Sequence, residues 1–565
     1  MRSLIPAILL FSGNLLAAPF TMVGWQFHAR DVPKVSEAIR KAPEYGVNFF
    51  VFSHGLFDHV DPFLNDPSRQ HDVLTLGALA DSEKIPWYLW LHEFDDIPDR
   101  YKVAPRGATD AQIEHSVTGT GSSASFRLGR RVNMDDPALM EYLHNRYEKL
   151  MATCPTAAGV VLTLHESDNK LFRNAEVQSS LPVPERIHKI AMLIYDVVVK
   201  EHHKKLILRN FFYEPKEMEY FAEALPQLPD DIIVMSKDVV HDFDPWYPFD
   251  PLHGKVGKKM QIMEADLSVE KAWNAQGLYA QPEYIKKDVE RARDKGLAGV
   301  VGRVQVFWPH PFEDTHEVNF YAFSRFMQDP TLSVDTVMLD WAKKRYGAQA
   351  APDIASALKR TEFIQHHGRW FLGFWLTKAL GAEWGDYPYY FGHILLRSRY
   401  KWTHDPADLA LQEGLYSPDQ ALFNRLVAEK DQVIEQIHAG MADVEKAGLH
   451  MTPDQLKPYQ DGFRYLLDAA ECEKQWTRAF FAMRMWMAKP SPETAAVVND
   501  ALTKLENLDR DTSISYGRNR ATGHRYNIDR FVLEMRWRMA NRSRALAEDA
   551  KLLDDTRRLM DVDRN

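Results

Sequence analysis

The chain has 565 residues, of which 45% are hydrophobic and 26% are charged, a composition that is ordinary for a globular protein and excludes a collagen-like, largely disordered or disulfide-scaffold chain. Its 69 Lys and Arg residues against 79 Asp and Glu residues give a net charge of −10, which argues against a nucleic-acid-binding protein with a basic face. At roughly 150 residues per domain, the length predicts two to four domains.

The first element in chain order is an N-terminal export signal. Arg2 gives a positive start, an apolar run follows over Leu4–Phe11, and Ala17-Ala18 supplies small residues suited to cleavage. The run is too short to span a bilayer, and a buried strand or helix is the alternative interpretation. The sequence therefore predicts a cleaved signal peptide at residues 1–18 and a periplasmic or extracellular protein.

Eight short apolar runs then alternate with helical patterns. Continuous apolar runs of this length suit parallel strands that are buried on both faces. Eight of them with intervening helices predict a (β/α)8 TIM barrel over residues 19–330, and a doubly wound open sheet is the alternative. The candidate strands are Thr21–Gln26, Asn48–Phe52, Trp87–Leu91, Gly159–Leu164, Lys205–Arg209, Ile232–Lys237, Lys259–Ala265 and Val300–Val304.

Beyond the eighth run the strand pattern stops. Apolar residues recur every three to four positions in long segments such as Pro418–Ala447 and Pro453–Met487, as in helices that bury one face. The sequence therefore predicts an α-helical C-terminal domain over residues 331–565, packed on the barrel. Cys154 and Cys472 are expected to be buried free thiols, because a chain of this length forms its core without disulfides.

The residues that follow the predicted strands carry charges and aromatic rings, at the end of a barrel where active sites lie. Cleaving a glycosidic bond requires one carboxylic acid to protonate the leaving oxygen and a second carboxylate to attack the anomeric carbon or activate a water. Cations bind a substrate carboxylate, and aromatic rings offer flat surfaces to sugars. The candidate residues are Glu166 and His165 after strand four, Arg209 at the end of strand five, Lys237, Asp242 and Trp246 in and after strand six, Glu270 after strand seven, and Trp308 after strand eight.

Histidines follow each of the first four predicted strands, at His28, His54, His92 and His165. A metal-dependent barrel hydrolase would use such positions, and this alternative stays open. However, the sequence has no paired His-x-His after strand one and no His-Glu-x-x-His motif. We therefore interpret these histidines as hydrogen-bonding groups that face sugar hydroxyls, and we expect no metal or organic cofactor.

Several stretches are similar to one known family. The segment from Lys237 to Glu270, with Asp242-Phe243 and the run Pro248–Gly254, resembles the α-glucuronidases of glycoside hydrolase family 67. Further stretches resemble that family in the same order, and together they cover about residues 159–347: Glu166-Ser167, Arg209–Tyr213 and Glu317–Arg325.

The resemblance implies a role for each of five residues. It makes Glu166 the general acid, and it makes Asp242 and Glu270 the carboxylates that position and activate the hydrolytic water. It assigns Arg209 and Lys237 to the carboxylate of a uronic acid. Members of the family invert the anomeric configuration, which goes with a distance of roughly 6.5–9.5 Å between acid and base.

The chain also departs from the family. Leu162 stands where the family has a lysine four residues before its general acid, so the resemblance implies one cationic contact fewer. The predicted barrel begins almost at the signal peptide, whereas family members carry an N-terminal domain ahead of it. We therefore interpret the chain as a distant relative, in which the helical domain closes one side of the cleft or mediates a homodimer.

Taken together, these patterns predict an exported, exo-acting glycoside hydrolase. Its expected substrate is an oligosaccharide or polysaccharide from which it cleaves a terminal α-linked uronic acid or a related sugar. The alternatives are a glycosidase with a neutral or unusual glycan substrate, and a barrel that binds glycans without cleaving them. No nucleic-acid partner and no membrane span are expected.

Overall fold

The computed structural model describes most of the chain. The described residues are 20–57, 59–104, 130–164, 167–174, 176–240, 243–267, 278–305, 316–375, 391–392, 394, 398–516 and 528–562. The predicted signal peptide at residues 1–18 lies outside them.

Eight parallel strands close into a barrel, as predicted. Around the barrel the order is β1-β8-β7-β6-β5-β4-β3-β2, so each strand lies beside its neighbours in the sequence, and the closure excludes the open-sheet alternative. Each predicted strand is present, and no end is displaced by more than two residues. The strands are β1 Met22–Phe27, β2 Phe49–Phe52, β3 Trp87–His92, β4 Gly159–Thr163, β5 Lys205–Arg209, β6 Ile233–Lys237, β7 Gln261–Asp266 and β8 Gly299–Gln305.

Helices surround the barrel and make up the C-terminal part. Those in the first part are α1 Val32–Lys41, α2 Val60–Leu64, α3 Pro67–Ser82, α4 Pro137–Thr153, α5 Val183–Tyr195, α6 Pro215–Ala224, α7 Pro282–Asp294 and α8 Glu317–Gln328. The remainder are α9 Val334–Tyr346, α10 Ala351–Gly368, α11 Tyr400–Thr403, α12 Pro406–Tyr416, α13 Gln420–Ala447, α14 Pro453–Ala488, α15 Pro492–Tyr516, α16 Ile528–Ala540 and α17 Arg542–Val562. Short strands form two small sheets outside the barrel: Lys102–Val103 with Arg131–Asn133 and Val177–Gln178, and Trp370–Phe371 with Phe374–Trp375.

An Asp-Pro pair begins several of these helices. The carboxylates of Asp66, Asp136 and Asp405 accept hydrogen bonds from backbone N–H groups in the first turn of α3, α4 and α12. The proline that follows each of them has no N–H group, so that position adds no unpaired donor to the first turn. The sequence thus marks the start of these helices locally, before any tertiary contact is made.

The barrel interior is apolar towards the N-terminal ends of the strands and charged at its mouth. The buried apolar side chains that meet inside include Val161, Ile207, Met235, Ile262 and Val301. Because side chains alternate between the two faces of a strand, the next inward positions are Arg209, Lys237, Glu264 and Arg303, each at most 5% exposed. The fold therefore collects charged groups at the end where barrel enzymes carry their active sites.

The helical part packs on the barrel through a shared apolar core. Leu278, Ala280 and Val318 from the barrel part are buried together with residues of α9, α10, α13 and α14. Cys154 and Cys472 are both buried free thiols, as predicted. Among the described helices, none has the length and apolar character needed to cross a membrane.

Candidate active site

Arg209, at the end of β5, is held in the barrel mouth by an ion pair with β7. Its Nε atom lies 2.7 Å from Oε2 of Glu264, and both side chains are at most 2% exposed. Its guanidinium group also lies 4.2 Å from the ring centroid of Trp90 on β3, which is a cation–π contact. These contacts across the barrel fix a positive charge at a defined place, because breaking a buried pair leaves an uncompensated charge.

Lys237 and Arg303 share one aromatic ring. The Nζ atom of Lys237 lies 3.8 Å from the ring centroid of Phe243, and the guanidinium carbon of Arg303 lies 4.6 Å from the same centroid. Lys237 also lies 4.2 Å from the ring of Phe211. With Arg209, three cations from β5, β6 and β8 thus meet around two rings, and the carboxylate of Glu264 offsets one of the three charges.

His28, directly after β1, stays neutral beside these cations. Its Nδ1 atom lies 3.2 Å from Nη2 of Arg303, and its ring centroid lies 4.1 Å from that of His54. Burial first, and then the neighbouring His54 and the cations, hold the pKa of His28 well below its ordinary value. His28 is therefore a hydrogen-bonding group at working pH, in line with the interpretation made from the sequence.

The three predicted acids, Glu166, Asp242 and Glu270, lie outside the described residues, as do His165 and Trp308. The described residues that flank the three acids in the sequence follow the C-terminal ends of β4, β6 and β7. They are Leu164 and Ser167 for Glu166, Val240 and Phe243 for Asp242, and Leu267 and Leu278 for Glu270. The roles of the three acids stay predictions.

Two carboxyl groups that the sequence analysis did not select stand at the same end of the barrel. Asp266 is the next inward position after Glu264 and is 5% exposed; strand alternation alone could have identified it. Glu93 directly follows β3 and is fully buried. Burial raises its pKa to about 8, and the hydroxyl of Ser167 opposes that shift only in part. No sequence signal distinguished Glu93 from the other acids.

Asn319 on α8 joins the two ends of the loop that follows β7. Its amide nitrogen donates to the carbonyl oxygens of Leu267 and Tyr279, at 3.4 and 3.0 Å, and its amide oxygen accepts from the backbone of Gln281 at 2.8 Å. The segment between these ends contains the predicted Glu270. The buried side chain of Asn319 thus links the two ends of that segment, and the side chain of Gln281, which donates to the carbonyl of Asp266, links them a second time.

Trp246, predicted as a sugar-binding residue, lies where the loop after β6 meets the helical part. Its indole N–H donates to the carbonyl of His366 at 3.0 Å, and its ring lies 5.0 Å from that of His367, edge to face. Gly373, at the turn of the Trp370–Trp375 hairpin, has a φ of +85°. A Cβ atom at Gly373 would lie 3.1 Å from two ring atoms of Trp246, so the turn is pressed against the indole.

One grouping of possible metal ligands occurs in the described part of the chain. A nitrogen of His59 and carboxylate oxygens of Asp96 and Asp168 lie within 4.8 Å of one another. Nδ1 of His59 lies 2.6 Å from Asp96, and this ordinary hydrogen bond accounts for the grouping without an ion. Asp96 and Asp168 are exposed.

Comparisons with known proteins identify the class of fold. The chain matches no protein-family model and no curated protein. It is similar in structure to a GH138 enzyme targeting pectin rhamnogalacturonan II, with a TM-score of 0.59 and 14% identity over 94% of this chain and 84% of that one. The protein therefore has the fold of a glycoside hydrolase of known structure, a closed (β/α)8 barrel followed by helices.

Two other glycoside hydrolases match more loosely. One is a family GH115 4-O-methyl-alpha-glucuronidase with specificity for decorated arabinogalactans, with a TM-score of 0.47 and 13% identity over 92% of this chain and 62% of that one. The other is the O-GlcNAc hydrolase of Thermobaculum terrenum, with a TM-score of 0.43 and 10% identity over 91% of this chain and 93% of that one.

Proposed function

We propose that the protein is an exo-acting glycoside hydrolase that removes a terminal α-linked uronic acid, or a related acidic sugar, from an oligosaccharide or polysaccharide. The observation that carries the proposal is the pair of buried cations Arg209 and Lys237 on adjacent strands, which both lie against the ring of Phe211 at the barrel mouth, at 5.3 and 4.2 Å. Such a pair suits the carboxylate of a sugar acid, which accepts charge-assisted hydrogen bonds from two directions.

The chemistry follows from the predicted acids. Glu166 protonates the leaving glycosidic oxygen, while Asp242 and Glu270 hold and deprotonate the water that attacks the anomeric carbon from the opposite face. The proton released by the water goes to a carboxylate, and the bond to the leaving sugar breaks as the new C–O bond forms. The product of an α-linked substrate is then the β-anomer of the free sugar acid.

The test compares single substitutions of the three acids with a matched control in the same loop. Glu166→Gln, Asp242→Asn and Glu270→Gln should each lower kcat by about 10²–10⁴-fold on a uronic-acid-capped oligosaccharide, the usual contribution of general acid–base catalysis. Asp168→Asn, an exposed acid two residues after Glu166, should retain wild-type turnover. NMR of the first-formed product should show inversion.

Three outcomes would contradict the proposal. Wild-type turnover by Glu166→Gln with an unchanged pH profile would remove that residue from the acid role. Faster cleavage of neutral than of uronic-acid-capped oligosaccharides would replace the acidic substrate with a neutral one. Binding of glycans without any released sugar over long incubation would make the protein a binding barrel.

A further inference from the structure

The side chain at position 162 faces away from the barrel mouth. Leu162 is fully buried in the core between the strands and the helices, together with Val160 and Leu164. The inward positions of β4 are Val161, which packs inside the barrel, and therefore Thr163. Leu162 thus faces the core around the barrel, and the inward positions of β4, Val161 and Thr163, carry no cation either. Any further cation for the substrate carboxylate has to come from another strand.

A third cation enters the mouth from β8, two strands away from β6. Arg303 is the inward position after Val301 and is 5% exposed. Its guanidinium group rests on the ring of Phe243, and the ammonium group of Lys237 contacts the same ring. Arg303 therefore adds its charge to the site formed by Arg209 and Lys237.

His28 fixes the direction of this guanidinium group. Arginine can only donate, so Nδ1 of the neutral His28 accepts from Nη2 of Arg303, and the proton of the imidazole is on Nε2. The atom of Gln26 that lies 2.8 Å from Nε2 is its amide nitrogen, and only a 180° turn of that amide group would bring its oxygen to the Nε2 proton. The contact with His28 alone therefore orients the guanidinium group, a planar fork of donors that matches a carboxylate better than an ammonium group does.

We propose that Arg303 binds the carboxylate of the substrate together with Arg209 and Lys237, and that it makes the site selective for a hexuronic acid over the corresponding neutral hexose. The inference rests on the proposed function for the identity of the site, but not on catalysis, because the free sugar acid should bind the same cations. His28 acts through Arg303 as a positioning residue.

The test measures binding of free glucuronate and galacturonate, with glucose and galactose as neutral counterparts, by titration calorimetry on the full-length protein. Arg303→Gln should weaken uronate binding about 10- to 100-fold, the order that one charge-assisted hydrogen bond contributes, and should leave neutral sugars unaffected. Arg303→Lys, which keeps the charge and loses the fork, should show a smaller loss.

The chain offers a matched control. Arg293 at the end of α7 stacks on Phe20 with 4.5 Å between the guanidinium carbon and the ring centroid, almost the same contact as Arg303 with Phe243, but ahead of β1 at the other end of the barrel. Arg293→Gln should bind uronates as the wild type does. A melting curve for each variant confirms that the barrel is folded.

The outcomes separate this inference from the proposed function. Unchanged uronate binding by Arg303→Gln, or an equal loss for acidic and neutral sugars, overturns the role of Arg303 whether or not the protein hydrolyses glycosides. No uronate binding by the wild type overturns it as well. Selective loss of uronate binding in a protein that hydrolyses no glycoside supports Arg303 and rejects the hydrolase.

Discussion

At the scale of single residues, several carboxyl groups are buried deeply enough to stay protonated near neutral pH. Burial raises the pKa of the fully buried Glu93 to about 8, and partial burial raises that of Glu362, which is half-buried, to about 8. Asp288 is 1% exposed, and among the described residues neither of its carboxyl oxygens has a hydrogen-bond partner; burial raises its pKa well above the ordinary value. The folded protein therefore binds protons that the unfolded chain releases.

Replacing Glu93 should stabilise the protein at neutral pH. A carboxyl group whose folded pKa is raised contributes full stability below its ordinary pKa of 4.5, and that contribution is lost as the pH rises to about 8. Glu93→Gln removes the ionisation, so its melting temperature should exceed that of the wild type at pH 7.5, by the equivalent of about 1–3 kcal/mol, and the difference should shrink towards pH 5.

The control is Glu141→Gln on the exposed face of α4, which should change the melting temperature little at either pH. An increase for Glu93→Gln of the same size at pH 5 and pH 7.5 would show that packing, and not ionisation, separates the two side chains.

At the scale of elements, side chains from a neighbouring helix and from the Trp370–Trp375 hairpin hold the loops of the mouth. Asn319 on α8 spans the ends of the loop after β7, and Asp244 in the loop after β6 accepts a hydrogen bond from the indole of Trp370 at 2.9 Å. In both cases the anchor is buried and lies outside the strand that carries the loop. The geometry of the site therefore depends on helix positions as much as on the barrel.

Shortening Asn319 should impair turnover more than substrate affinity. Asn319→Ala leaves two carbonyl groups and one N–H group without their partner, at about 1–3 kcal/mol for each buried group, and it frees the ends of the loop that carries Glu270. We expect kcat to fall about tenfold or more while uronate affinity, which depends on Arg209 and Lys237, changes little.

Asn319→Asp serves as the comparison, because it keeps the acceptor for Gln281 and loses the donor to Leu267 and Tyr279. Because a buried carboxylate oxygen would then face those two carbonyl oxygens, its effect should be at least as large as that of Asn319→Ala. Equal kcat for all three proteins would show that the loop is positioned by other contacts.

At the scale of the whole molecule, the barrel and the C-terminal helices each have an apolar core and meet in a third, shared apolar cluster. The apolar cluster of α9, α10, α13 and α14 includes Leu278, Ala280 and Val318 from the barrel part. Lys401 of α11 also donates to the carbonyl of Tyr213 at 2.8 Å, next to the end of β5. The predicted boundary at residue 330 therefore separates two patterns of secondary structure, and we propose that these are not two independent folding units.

A chain of residues 19–330 alone should aggregate or unfold. Without the helices, Leu278, Ala280 and Val318 lose their apolar partners and become an exposed patch of the kind that promotes association. Expression of residues 19–565 under the same conditions is the control, and size-exclusion chromatography with circular dichroism is the measurement. A soluble, monomeric barrel with a cooperative thermal transition would show instead that the two parts fold separately.

The sequence predicted the barrel because its strands are short, continuous apolar runs that need no tertiary information to recognise. The positions of Arg209 and Lys237 at the barrel mouth were also predictable, since the two residues end such runs. Arg303 lies inside the eighth run, one residue before its end, and its proposed role depends on Phe243 and His28, which meet it only when the barrel closes. The raised pKa of Glu93 could not be predicted from the sequence, because it results from burial in the folded protein.

The turn at Gly373 lies against Trp246 of the loop that follows β6. Gly373 has no side chain and its backbone is left-handed, so the hairpin can approach the indole of Trp246. The hairpin itself lies far along the chain from the barrel strands. A side chain at this one position would meet the guanidinium group of Arg399 first and then two ring atoms of Trp246 at 3.1 Å. One added methyl group in the C-terminal part would therefore strain a contact with the loop that follows β6, although no residue of the barrel had been replaced.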